Sequence, residues 1–229
     1  MSLVTEVRHN VHNTRILSHV ARWRNPPSFC VMYASREHLE KRTGSHGVGR
    51  FQFLQQLVIE FQKSKNEDDK EQVLANLANF AYDPINYDYI RQLNVIDLFL
   101  DMLEEPKESF VEFSIGGLCN LVLDKQNKEY IIANNGVKLI IDSLSRSSAE
   151  IIISAVTTLM WLITPSTKAD ILTVPVIQCM QRLSQSGNSR ISNLAVIFLQ
   201  DYCTSDQIQL ADEESSALGI PLPSQPATR

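Results

Sequence analysis

Apolar residues recur along this chain at the spacings of three and four that mark one face of a helix, and the same arrangement returns every 40 or 41 residues. Four segments align: Val73 to Phe80, Ser114 to Leu121, Ala155 to Leu162 and Ala195 to Tyr202. Their first column holds Val73, Ser114, Ala155 and Ala195, their fifth Leu77, Leu118, Leu159 and Leu199, and their eighth Phe80, Leu121, Leu162 and Tyr202. These three columns share a face, so each segment predicts a helix with the columns in the core. A second apolar helix is predicted in register between them, at Val95 to Leu103, Val137 to Leu144 and Val176 to Leu183. A short third helix is predicted from Asn86 to Gln92 and from Asn127 to Ala133. Gly136 suits the left-handed conformation that ends a helix, while Pro106, Pro175 and Asp83-Pro84 suit helix starts or breaks.

A helix pair of this length cannot bury its apolar face alone, so the units must stack into a continuous core. The expected fold is an all-α, right-handed α-solenoid of about four three-helix repeats. The approximate units are 47–94, 95–135, 136–174 and 175–208, within a domain spanning 47–208 and followed by a tail at 209–229. The 229 residues are 44% hydrophobic and 21% charged, ordinary values for a globular protein. The richest apolar stretch, Ile151 to Ile163, is interrupted by Ser154, Thr157 and Thr158, so no membrane span is expected.

Charge changes the picture at the ends. The first 50 residues carry a net +5 and the remainder −10, within a total of −5. An acidic body is a poor direct binder of nucleic acid, because phosphate contacts need Lys and Arg on the contacting face; RNA is expected only through a partner. Residues 1–46 fall outside the repeat and collect Arg8, Arg15, Arg22 and Arg24 with His9, His12 and His19. They read as a disordered basic extension or as sequence added by an upstream start, with Met32 a possible later one. The alternative is a mitochondrial transit segment.

Catalytic equipment is sparse. All five histidines precede residue 47, and the four cysteines, Cys30, Cys119, Cys179 and Cys203, lie far apart without metal-ligand spacing. There is no Gly-rich phosphate loop, and the pairs Asp68-Asp69 and Glu104-Glu105 read as solvated faces. No enzyme activity, cofactor, metal or small-molecule substrate is expected. In the tail, Leu218, Ile220 and Leu222 alternate with Gly219, Pro221 and Pro223, which reads either as plain disorder or as a docking motif for the solenoid or a partner.

Asn120-Leu121 followed by Asn127-Lys128, Asn79-Phe80 followed by Asn86, and Gly136 leading into Leu139-Ile140 together resemble the armadillo repeat family. HEAT repeats, with a similar period, are the alternative at the level of fold. The armadillo resemblance implies that the long helices line a concave groove whose asparagine column hydrogen-bonds the backbone of a bound chain. On that footing Asn79, Tyr82, Asn120, Asp124, Trp161 and Asp201 are the candidate groove residues. Trp161 and Asp201 stand where the family has asparagine. Asn79 and Asn120 could equally satisfy backbone groups at helix ends, and Trp161 could be an exposed anchor or buried packing. Import receptors of the family carry a tryptophan one turn earlier, where this chain has Ala75, Gly116, Thr157 and Ile197, so basic import signals are disfavoured and a folded partner fits better.

A closer resemblance, to one member of the family, covers residues 46–224 and rests on Lys70 to Pro84, Gly116 to Leu121 and Ser216 to Pro223. It implies a nuclear adaptor of the minor spliceosome that supports pre-mRNA splicing by stabilising an RRM-type RNA-binding protein. The alternative function is a generic peptide-binding scaffold in signalling or transport.

Overall fold

The structure is a computed structural model and describes residues 49–213, all helix and connecting turns. Its contacts divide the chain into two compact units that meet between Leu93 and Asn94.

In the first unit, α1 (Arg50–Lys63) packs on α2 (Glu67–Ala81). Leu54, Leu57 and Phe61 recur at helical spacing on α1 and are buried, which is why this helix forms against α2. Asn66 begins α2 by accepting from the Asp68 amide at 3.0 Å, and Glu67, Asp68 and Asp69 in the first turn suit the positive end of the helix dipole. A 3₁₀ turn (Pro84–Asn86) and α3 (Tyr87–Gln92) complete the unit.

The second unit contains α4 (Val95–Met102), α5 (Glu108–Leu121), α6 (Lys125–Ala133), α7 (Gly136–Ser143), α8 (Ala149–Leu162), α9 (Lys168–Ile171), α10 (Val174–Ser184), α11 (Ser189–Tyr202) and α12 (Ser205–Glu213). Helices α5, α8 and α11 lie in a row, with α4 packed on α5, α7 on α8 and α10 on α11. Helix α8, between α5 and α11, is buried on nearly every side, so its run Ile151-Ile152-Ile153 has apolar neighbours all round. Two of its hydroxyls are satisfied within the helix: Thr157 and Thr158 donate to the Ile153 and Ser154 carbonyls, both at 2.7 Å.

The long helices occupy the four aligned segments, but the columns are not uniformly core. Val73, Ser114, Ala155 and Ala195 are buried, as are Leu77, Leu118 and Leu159. Leu199, Phe80 and Tyr202 are partly exposed instead. Phe80 lies near one end of the described residues, where it meets Phe53 edge-on at 5.6 Å and the Arg50 guanidinium at 4.7 Å. Leu199 and Tyr202 lie on α11, over which no further long helix is described.

A polar pattern also repeats. Asp83, Asp124, Thr164 and Thr204, spaced 41, 40 and 40 residues apart, each begin a short helix or turn. Asp83 accepts from Ile85 N at 3.3 Å, Asp124 from Asn127 N at 3.0 Å, Thr164 from Thr167 N at 3.3 Å and Thr204 from Gln207 N at 3.3 Å. Three residues after the first three caps, Asn86, Asn127 and Thr167 are buried. The Asn86 side-chain amide donates to the Phe80 carbonyl at 2.8 Å, and the Thr167 hydroxyl to the Leu162 carbonyl at 2.6 Å. Asn86 and Thr167 are thus internal ties that satisfy the ends of the long helices preceding them.

The left-handed residue is not Gly136, as its glycine identity suggests, but Asn135 (φ 61°), matched by Asn94 (φ 52°) one repeat earlier. Asparagine tolerates this region at modest cost. Gly136 is already helical and is required for another reason: a Cβ there would lie 2.6 Å from the Ile131 carbonyl oxygen.

Arg146 ties successive repeats together, donating from Nη2 to the carbonyls of Leu103 (3.0 Å) and Glu105 (2.8 Å) just beyond α4. Arg146→Ala removes both bonds and leaves part-buried carbonyls unsatisfied, so a loss of about 2 kcal/mol is expected. A shift in the denaturant midpoint with unchanged slope measures it.

Candidate functional site

The row α5, α8 and α11 has one end tied by polar contacts between helices. Ser147 donates to Glu108 Oε1 from its hydroxyl and, at 3.1 Å, its amide; Ser148 donates to Glu112 Oε2 at 2.9 Å; Arg190 pairs with Glu150 at 2.6 and 3.2 Å. The Ser147 hydroxyl and then its amide hold the Glu108 carboxyl below its ordinary value. Because the folded-state value is depressed, this contribution is present at neutral pH and is lost as the pH falls through the acid range.

The opposite end carries the candidates. Asn120, Trp161 and Asp201 each occupy the next-to-last position of their long helix, on three helices packed side by side. The repeat register therefore sets them in line, roughly 8–10 Å apart from helix axis to helix axis. Trp161 is 48% exposed, which selects the open position over buried packing. The Lys128 ammonium, on α6, lies 5.7 Å from its ring centroid, within cation–π range. Leu123, just beyond α5, is also exposed. Asn120 is half-buried and partnered. Asp201 is exposed in the last turn of α11, where the helix dipole disfavours an anion, so helix stability does not account for it.

Asp124 is engaged as the cap of α6, a structural task that its sequence context alone did not reveal. Asn79 is exposed and Tyr82 half-buried and partnered, both in the first unit and described there alone. Leu218, Ile220 and Leu222, like residues 1–46, lie outside the described residues. Sequence reasoning missed Lys128 as the neighbour of Trp161, although its place in the Asn127-Lys128 pair marks the start of the short helix.

The row offers an amide that donates and accepts, an aromatic face with one N–H donor and an anionic acceptor, groups suited to hydrogen bonding and stacking against another chain. Burial pushes the Cys119 and Cys179 thiols up to about 11, and Cys203 is also raised by burial. At pH 8 only roughly one in a thousand Cys119 or Cys179 side chains is then thiolate. Alkylation of the folded protein is expected to be slow at both and to accelerate sharply on unfolding, as peptide mass mapping would record. Among the described residues no cluster of His, Cys, Asp and Glu could hold a metal ion, and no helix is long and apolar enough to cross a membrane.

The helix order, the repeated caps and the aligned row define the class as an armadillo-type α-solenoid, and the chain belongs to the armadillo repeat family. It is 58% identical over 180 residues to Armadillo repeat-containing protein 7 of Mus musculus, a match covering 77% of this chain and 91% of that protein. Among solved structures it is similar to computationally designed armadillo repeat proteins for modular peptide recognition, with a TM-score of 0.59 at 15% identity over 65% of this chain and 64% of theirs. A designed armadillo repeat protein in complex with the peptide (KR)4 gives 0.58 at 14% identity, over 65% and 64%. The chain thus spans just under two thirds of the length of these designed arrays, and the likeness to them is one of fold. No family model matches the chain.

Proposed function

We propose that this chain is a non-enzymatic protein-binding adaptor of the nucleus, a component of the minor spliceosome that stabilises an RRM-type RNA-binding partner and meets RNA through that partner. The observation that carries the binding role is the aligned row of Asn120, Trp161 and Asp201, with Trp161 half in solvent at the centre. The 58% identity to Armadillo repeat-containing protein 7 supports the choice of partner class, through the splicing role that the sequence resemblance implies. The net charge of −10 beyond residue 50 supports contact with protein over direct contact with phosphate.

Purification of the tagged full-length protein from nuclear extract tests the reading. It is expected to recover an RRM-type protein together with minor-spliceosome RNA, and recovery of neither would overturn it. The second reading, a scaffold for extended peptides in signalling or transport, draws on the designed armadillo protein bound to (KR)4 and on the acidic body of this chain. It requires short basic peptides alone to bind the row, with affinity lost on Trp161→Ala.

A further inference from the structure

The face of α11 directed away from α8 departs from the rule set by the two long helices before it. In α5 and α8 the second, fifth and eighth columns are fully or nearly fully buried: Ile115, Leu118 and Leu121, then Val156, Leu159 and Leu162. At the same columns of α11, Val196, Leu199 and Tyr202 are partly exposed, and Ile197 is 42% exposed. The cause is positional. Helix α8 covers α5, and α11 covers α8, but α12 packs on α10 and leaves α11 open. Leu210 of α12 is exposed as well, at 45%. Solenoids ordinarily end on a polar outer face; this helix presents branched aliphatics.

We propose that the segment containing Leu218, Ile220 and Leu222 folds back within the same chain and covers this face of α11, acting as the cap of the array. The starting point of that segment is well anchored. Gln178 Nε2 donates to the Ala211 carbonyl at 2.9 Å, and Gln181 Nε2 donates to the Ile208 carbonyl at 3.4 Å and to Asp212 Oδ1 at 2.7 Å, so the last turn of α12 is pinned to α10. Because α10 also packs on α11, the two helices on either side of it lie within about 20 Å of each other. Leu218 follows Glu213 by five residues and Leu222 by nine, spans of up to about 17 and 30 Å in extended chain, so the distance is covered.

The composition of the segment fits the task. Proline at positions 221 and 223 disfavours a helix, and a residue before proline favours extended backbone, a preference that suits Ile220 and Leu222 to this task. Residues at alternate positions of an extended chain point to the same side, so in that conformation Leu218, Ile220 and Leu222 would form one apolar strip. The intervening Glu214, Ser215 and Ser216 supply a polar link. An aliphatic strip against Val196, Ile197 and Leu199 removes apolar surface from water on both sides, without the loss of translational freedom that docking a separate molecule entails.

Hydrogen exchange read by mass spectrometry on the full-length chain tests this, comparing the natural sequence with a triple variant, Leu218→Asp, Ile220→Asp and Leu222→Asp. Amides in the second half of α11 are expected to exchange roughly tenfold faster in the variant, at every protein concentration, with α5 and α8 unchanged. Equal exchange in the two proteins would overturn the proposal and leave the face to an outside partner. Protection of α11 that rises with concentration alongside a dimer in sedimentation would also overturn it, assigning the face to a second copy.

Discussion

Replacing Phe99 by alanine is expected to cost about 3–5 kcal/mol. Phe99 is fully buried on α4, and its ring lies directly over Gly117 of α5: a Cβ at Gly117 would come 2.4 Å from one ring carbon and 2.7 Å from another. The two helices approach this closely because residue 117 carries no side chain. Gly117→Ala is accordingly expected to destabilise by about 1–3 kcal/mol despite the better helix propensity of alanine, since the fully buried ring would have to shift. The pair makes a signed prediction. In a Phe99→Leu background the smaller side chain leaves room for the new methyl, so the double variant should be less destabilised than the sum of the singles. Denaturant midpoints of the four proteins decide it, and a neutral Gly117→Ala would show that the helices do not approach as described.

Trp161→Ala is expected to weaken binding of the partner protein roughly 30-fold or more, which corresponds to about 2 kcal/mol, while the folded state changes little. The two readouts separate because Trp161 is half exposed and its one described ring contact is with Lys128. That contact contributes about 0.5–1 kcal/mol at an exposed site. A central aromatic with polar neighbours on either side is the arrangement in which binding energy concentrates. Circular dichroism should report an intact helical fold, and titration with the partner protein should report the loss. An unchanged affinity would move the interface away from the Asn120–Trp161–Asp201 row.

The helical elements were legible in the sequence because a helix buried on one face must repeat its apolar residues at three and four, whatever it packs against. Capping was legible only in part. Asp83-Pro84 announces a helix start by chemistry, but the column of Asp83, Asp124, Thr164 and Thr204 changes residue type midway, and only hydrogen bonds reveal it as one device. Gly136 was misread because glycine serves two ends, a positive φ and a close approach. The sequence does not say which applies, and the Ile131 carbonyl settles it.

The candidate site divides in the same way. The period alone placed Asn120, Trp161 and Asp201 in one column, since equal spacing on stacked helices puts residues at equal heights. Whether that column faces water was decided by what covers each helix: Thr157, one turn before Trp161 on the same helix, is buried, while Trp161 is open. Leu159 and Leu199 make the point most directly, being the same residue in the same column, one fully buried and the other partly exposed. Helical spacing is local and can be read along the chain, whereas burial belongs to neighbours that arrive from a repeat away, and only the packed array supplies them.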